Sequence, residues 1–268
     1  MTSTVFASLC DIRQYARAVQ TLAQLRNEGA WCGDVALLCV DFSPDEFQLG
    51  ELAAISVGTV ILEHLDHHLL WKAWEKHPIR RQDDNRHYSK VNQWDKLQVF
   101  AGWCSAWQRV CFLDAGMNVC SPVTPLLDLS WQGRILAPQD GAPVSYSNVF
   151  RIQLDLDANP AVSQDLVATF DEKMLESPYF LNCCFIFDTA LAPPAYKTMV
   201  EWMVRFPVMM CNEMGIMNLY FTFHQNVWTT LPNSREDGRY LFAWSDVEIA
   251  GNPPRDAFCL IKYPSHRL

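Results

Sequence analysis

The sequence predicts an α/β fold built on a mostly parallel central sheet flanked by helices, and three observations carry that expectation. Strand-like and helix-like segments alternate from residue 4 to residue 62, the βαβ pattern that implies right-handed crossovers. Half of the 268 residues are hydrophobic, enough for one large core and a tight fit for two. Val110 to Leu113 is a short apolar run of the kind buried on both faces of a sheet, and it stops at Asp114-Ala115-Gly116. One domain over residues 1–268 is the simplest account.

Taken in order, Thr4 to Leu9 reads as the first strand. Asp11 to Glu28 follows with apolar residues at Ile12, Tyr15, Ala16, Val19, Leu22, Ala23 and Leu25, a helical spacing that Gly29 ends. Asp34 to Val40 is a second buried strand running into Asp41, Pro44 to Ile55 a short helix, and Gly58 to Leu62 a third strand. Between Leu69 and Tyr88, tryptophans give way to a charged run that reads as a surface loop, broken at Pro78. Helical spacing returns from Ser89 to Trp107 and leads into the Asp114 strand. Pro122 and Pro125 break the chain again, and Gly133 to Ala137 is a short strand candidate. Asp155 to Leu175 reads as loop then amphipathic helix. Tyr179 to Asp188 is strongly β-like, with one polar amide at Asn182. Ala195 to Phe206 and Glu213 to Phe223 read as helices, Trp228 to Leu231 as a strand, and Phe258 to Ile261 as the last strand before the basic stretch from Lys262.

Composition narrows the function. With 21 Lys and Arg against 30 Asp and Glu, a net charge of −9 argues against a general nucleic-acid or acidic-membrane surface. No apolar run approaches membrane-spanning length and Met1 to Cys10 lacks a signal-peptide pattern, so the expectation is a cytoplasmic protein without a transmembrane segment. The ten cysteines lie mostly in apolar segments without a C-x-x-C pair, which points to reduced, buried thiols. His64-x-x-His67-His68 places His64 and His68 on one face if the segment is a helix, but it reads as a solvated polar face, because no Cys or acidic partner completes a ligand set.

Asp114 stands out. Ligands of open α/β sheets sit beyond the carboxyl ends of the strands, and a carboxylate there can hold a divalent cation that in turn holds a diphosphate. Taken alone, Asp-Ala-Gly also serves as a strand-ending turn.

Tyr15, Lys96-Leu97, Leu113-Asp114-Ala115-Gly116, Tyr179-Phe180-Leu181-Asn182, Glu213 with Asn218-Leu219, Trp228-Thr-Thr-Leu231-Pro232, and Lys262 to His266 occur in this order over most of the chain. Together they resemble the nucleotide-sugar glycosyltransferases of the GT-A fold, most closely the glycogenin-like and galactosyltransferase-like group, glycosyltransferase family 8. The resemblance implies a GT-A fold with a nucleotide-binding half (1–120) and a donor-sugar and acceptor half (121–268). It implies transfer of a sugar, with retention, from a nucleotide-diphosphate donor, UDP-sugar favoured, to a hydroxyl of a carbohydrate or glycan acceptor.

Carried over residue by residue, Asp114 and His266 would hold Mn²⁺ or Mg²⁺. Lys96, Lys262 and the Asp114-Ala115-Gly116 turn would face the diphosphate, and Asp11 and Tyr15 the nucleoside. Asp140, Asn182 and Glu213 would serve the sugar and the charge developing at its anomeric centre. Other readings stay open: Asp11 as a helix cap, Lys96 as a solvated lysine, Asp140 as a turn residue before Gly141, Glu213 as a helix-start acid, and Trp71, Trp74 and Trp94 as core or as sugar platforms. The chain departs from the family where Gly116 stands for a second Asp, which weakens the expected metal site. Leu181 is an extra residue, Cys184 replaces a glycine and would crowd the sugar pocket, and the final His motif is a fragment. A catalytically silent binder of nucleotide sugar or glycan, and a metal-independent or inverting transferase, are the alternatives.

Overall fold

The computed structural model describes residues 3–76, 90–140, 149–157, 159–232, 240–244 and 255–263. Strands β1 (Thr4–Cys10), β2 (Asp34–Val40), β3 (Gly58–Leu62), β4 (Arg109–Leu113), β6 (Ile135–Ala137), β7 (Cys184–Asp188) and β8 (Trp228–Thr230) form a seven-stranded sheet in the order β3-β2-β1-β4-β7-β6-β8. β7 pairs antiparallel with both β4 and β6, and the other pairings are parallel. A second sheet joins β5 (Met117–Val119), β10 (Phe258–Lys262) and β9 (Tyr240–Trp244), in that order.

Every residue of β4 is buried, and its side chains alternate between two hydrophobic layers. Val110 and Phe112 join one, with Phe185 and Phe187 of β7; Cys111 and Leu113 join the other, with Cys184 and Ile186. Two apolar layers, one on each face, are what a continuous apolar strand requires. Cys184 therefore packs beside Leu113 in the second layer. Helix α1 (Tyr15–Asn27) buries Tyr15, Ala18, Thr21, Leu22 and Leu25; of the apolar positions read from the sequence, Tyr15, Leu22 and Leu25 are buried, while Ile12 and Ala16 are exposed. Helix α2 (Glu46–Ala54) starts with Asp45 and Gln48 capping one another's backbone.

Several elements differ from expectation, for identifiable reasons. Within 90–107 the chain forms a pair of 3₁₀ segments, Val91–Phe100 and Gly102–Ala106. Val91, Trp94, Leu97 and Phe100 are spaced by three, which is the 3₁₀ period. Trp94, Leu97 and Phe100 are buried, and Phe100 stacks on Phe185 at 5.5 Å and 11°. Glu213–Asn218 is α-helical but passes into a π turn, Leu219–His224. The run from Tyr179 to Asp188 is broken: Phe180 makes an isolated bridge to Gln139, and the ladder resumes only at Cys184. Leu181 to Cys183 leave the ladder between them. The short strands β5 and β9 and helix α3 (His67–Lys76) lacked a signal, since tryptophans and charges alternate in α3 and the three residues of β5 are too few for a period. Trp74 and Trp94 are core residues, 1% and 0% exposed, and so are not sugar platforms. All ten cysteines are free thiols, and seven of them are buried.

Candidate functional site

β1 and β4 are parallel neighbours, with Ala7 opposite Phe112. From β1 the chain turns to β2 on one side, while the other flank of β4 is taken by β7. That divergence is the topological switch point, where an open α/β sheet leaves a crevice beyond its carboxyl ends. Asp11 and Asp114 follow the two strands that border it.

Five of the residues singled out from the sequence meet there. Lys96, from the Val91–Phe100 segment, places Nζ 2.8 Å from Asp114 Oδ1 and 3.5 Å from Glu213 Oε1. The same ammonium donates to the Asn182 carbonyl and to Asn182 Oδ1 at 3.4 and 3.3 Å. Asn182 Nδ2 donates to Glu213 Oε1 at 2.8 Å. Lys262 Nζ reaches Asp114 Oδ2 at 3.4 Å. The break at Leu181 to Cys183 makes this possible, since it frees Asn182 from the ladder while Cys183 still accepts from the Asp114 amide at 2.8 Å. Lys262 arrives through the second sheet, where it lies opposite Met117, three residues after Asp114.

Electrostatics separate the two acids. Burial works to raise the Asp114 carboxyl, but the Lys96 and Lys262 ammoniums outweigh it and hold it below the usual range. Burial also raises Glu213, and there it wins over Lys96 and Asn182, so its carboxyl stays above its ordinary value. Burial lowers Lys96, yet Asp114 and Glu213 overcome that and push it up. Asn212, which precedes Glu213, adopts φ 51°, a conformation costing about 1–3 kcal/mol for a residue with a side chain. Two buried oxygens in this region, Glu213 Oε2 and Tyr179 Oη, make no hydrogen bond among the described residues. Tyr179 lies near Cys211, Asp140 and Glu213, and burial together with these neighbours raises its hydroxyl.

The remaining residues fall as follows. Asp11 caps the segment before α1 by accepting from the Gln14 amide, and receives a bond from Asn92 Nδ2 at 3.3 Å. Tyr15 donates to the Gln48 carbonyl and to Glu51 Oε2 at 3.1 and 3.3 Å, lining a cleft between α1 and α2 with Asp45 and Phe47. Asp140 sits past β6, its amide bonded to the Tyr179 carbonyl at 2.7 Å. Ala115 and Gly116 form the turn after Asp114, and Gly116 has φ 87°, which favours glycine. His266 lies outside the described residues.

Sequence reasoning missed Thr21, which accepts from the Gly116 amide at 3.0 Å and donates to the Met117 carbonyl at 2.8 Å, tying the turn to α1. It also missed Arg17, whose guanidinium approaches Gly116, and it gave Tyr179 no role beyond its place in the Tyr179-Phe180-Leu181-Asn182 segment. The reading of His64, His67 and His68 needs correction. His64 precedes α3, so it shares no helical face with His68, and an acidic partner exists: Asp95, thirty-one residues beyond His64, bonds its Nδ1 at 2.7 Å.

A divalent cation at Asp114 does not fit the described residues. Asp114 gives a single carboxylate at the strand end, Gly116 offers none, and two ammoniums face both Asp114 oxygens. A hard cation needs more oxygen ligands than this and is repelled by adjacent positive charge.

No family model matches the chain, and no curated protein matches it in sequence. Solved structures do. The bifunctional glycosyltransferase WbbM, in its apo form, superposes with TM-score 0.57 at 11% identity over 98% of this chain and 46% of that one. Galactosyltransferase LgtC, in complex with donor and acceptor sugar analogues, gives 0.56 at 14% identity over 97% and 86%. The chain has the GT-A fold. Core-mannan synthase A from Aspergillus fumigatus, in an Mn/GDP form, gives 0.51 at 8% identity over 86% and 73%. This chain thus spans less than half the length of the WbbM structure, and most of LgtC. No helix of the described residues is long and apolar enough to cross a membrane.

Proposed function

We propose that the chain is a nucleotide-sugar-dependent glycosyltransferase, acting with retention on a carbohydrate acceptor, in which Lys96 and Lys262 rather than a bound divalent ion hold the donor diphosphate. The observation that carries this reading is the convergence of both lysines on Asp114 at the switch point, with Asn182 and Glu213 directly behind. When the bond from the anomeric carbon to the diphosphate oxygen breaks, its electron pair leaves with the phosphate. Fixed ammoniums at that oxygen stabilise the growing negative charge. The sugar gains oxocarbenium character, which the Glu213 carboxylate and the Asn182 amide oxygen are placed to stabilise. The acceptor hydroxyl adds on the face the phosphate leaves, and its proton passes to the departing phosphate oxygen.

Donor hydroxyls would also satisfy Glu213 Oε2 and Tyr179 Oη, buried oxygens that otherwise each cost about 1–3 kcal/mol. Asp140, beside Tyr179, belongs to the same sugar subsite. Tyr15 and Asp11 take the nucleoside end, with UDP the favoured donor base. The second reading, a catalytically silent binder, is favoured by Gly116 in place of a carboxylate.

Incubation with a panel of UDP- and GDP-sugars, in EDTA and in Mn²⁺, tests both. Nucleotide release that persists in EDTA and drops about 10²–10³-fold in Lys262→Ala supports the lysine-based transferase. Thermal stabilisation by nucleotide without turnover supports the binder. Release that appears only with Mn²⁺ overturns the metal-free mechanism, and product of inverted anomeric configuration overturns retention.

A further inference from the structure

We propose that His64, His67 and Asp95 form a binding site for a transition-metal cation of the Zn²⁺ class, distinct from the donor site and bracing the segment that carries Lys96. His64 lies just past β3, His67 opens α3, and Asp95 comes from Val91–Phe100. One donor atom from each lies within 4.8 Å of the others, and no other such group of three converges among the described residues.

Hydrogen bonding alone accounts for His64 but not for His67. His64 Nδ1 sits 2.7 Å from Asp95 Oδ2. His67 Nε2 is buried, lies 3.3 Å from Asp95 Oδ1, and makes no hydrogen bond among the described residues. That separation is close to the edge of a tetrahedron with metal–ligand bonds of about 2.0–2.1 Å. The outer contacts also suit a metal. His64 turns its other nitrogen, Nε2, toward Asp41 Oδ2 at 3.4 Å, the carboxylate placement that orients a metal-ligating imidazole. Asp95, 1% exposed, is held through Oδ1, the oxygen that faces His67, by the Leu65 amide at 2.8 Å and by Gln98 Nε2 at 3.4 Å, which fixes the orientation of the carboxylate. His64 is 30% exposed, leaving a water position open.

Two imidazoles and one carboxylate select a borderline cation such as Zn²⁺ over Mg²⁺ or Ca²⁺, which prefer oxygen sets. Because Asp95 adjoins Lys96, and Gln98 also donates to the Glu63 carbonyl at 2.9 Å, a bound cation would tie the β3–α3 connection to the lysine segment.

The test needs no sugar donor, so it stands or falls apart from the transferase reading. The full chain is stripped with EDTA and titrated with Zn²⁺ by calorimetry, then with Co²⁺ by visible absorption. One equivalent should bind, with tetrahedral Co²⁺ bands and a raised thermal midpoint. His64→Ala and His67→Gln should each weaken binding about tenfold or more, while Asp114→Ala should leave it unchanged. Because Asp95→Asn can disturb a buried network, His67→Gln, checked for fold by circular dichroism, is the deciding variant. Absence of binding to the intact chain overturns the proposal, as does unchanged affinity in folded His67→Gln or loss of the site in Asp114→Ala.

Discussion

Lys96 touches two carboxylates and an amide at once, so removing it exposes more than a lost contact. Lys96→Ala leaves Glu213 buried beside a carboxylate that keeps only Lys262. Breaking a buried pair this way costs about 3–5 kcal/mol, and the partial exposure of Asp114 places the expected loss near about 3 kcal/mol in urea unfolding. The two acids respond to pH in opposite senses. Asp114 has a folded value below its ordinary 3.8, so its stabilisation is present above 3.8 and lost as pH falls through the lower folded value. Glu213 lies above its ordinary 4.5, so its contribution is present below 4.5 and lost as pH rises through the raised value. Glu213→Gln should therefore gain stability relative to wild type as pH climbs from about 4.5 toward neutrality, and a difference that stays flat with pH rules this out. Residue-level legibility followed chain distance. Asp114 announced itself because a strand stops there; Asp95 did not, because its histidines lie about thirty residues upstream, and Arg17 looked like any helix arginine.

At the level of elements, one side chain holds both polar backbone groups of Phe180 in the Tyr179–Asn182 stretch. Asn218 Oδ1 accepts from the Phe180 amide at 2.8 Å, while its Nδ2 donates to the Phe180 and Met214 carbonyls at 3.0 and 2.9 Å. Asn218→Ala orphans both polar groups of Phe180 in a buried place, so a loss of about 2–4 kcal/mol is expected in denaturant unfolding. Asn182 should shift off Glu213 at the same time, so donor turnover should fall more than stability alone explains. The helix and strand content was readable where periods were long, as in α1, and misread where two periods resemble each other. The spacing Val91, Trp94, Leu97, Phe100 fits 3₁₀ better than α, yet four residues do not separate the two without their neighbours. The break after Phe180 was visible only as the extra Leu181, whose meaning depends on which strand lies opposite.

For the whole molecule, the βαβ opening and the apolar β4 made the sheet legible, while the reversed β7 and the small second sheet were not, because strand direction leaves no trace in composition. Two lysines that converge at the end of β4, in a chain of net charge −9, should bind nucleotide diphosphate without metal. UDP or GDP at about a hundredfold excess over its dissociation constant should add about 2.7 kcal/mol, raising the thermal midpoint by several degrees in EDTA. A shift seen only with Mn²⁺ would contradict the lysine arrangement.

The antiparallel register of β10 on β5 sets Lys262 opposite Met117, nearly 150 positions after Asp114. A nascent chain halted before Phe258 can lay down all seven strands of the main sheet and still lack one of the two cations that neutralise Asp114. Competence then arrives as a late event, when a far-off segment docks edge to edge, and a slip of one position there would turn that ammonium to the opposite face.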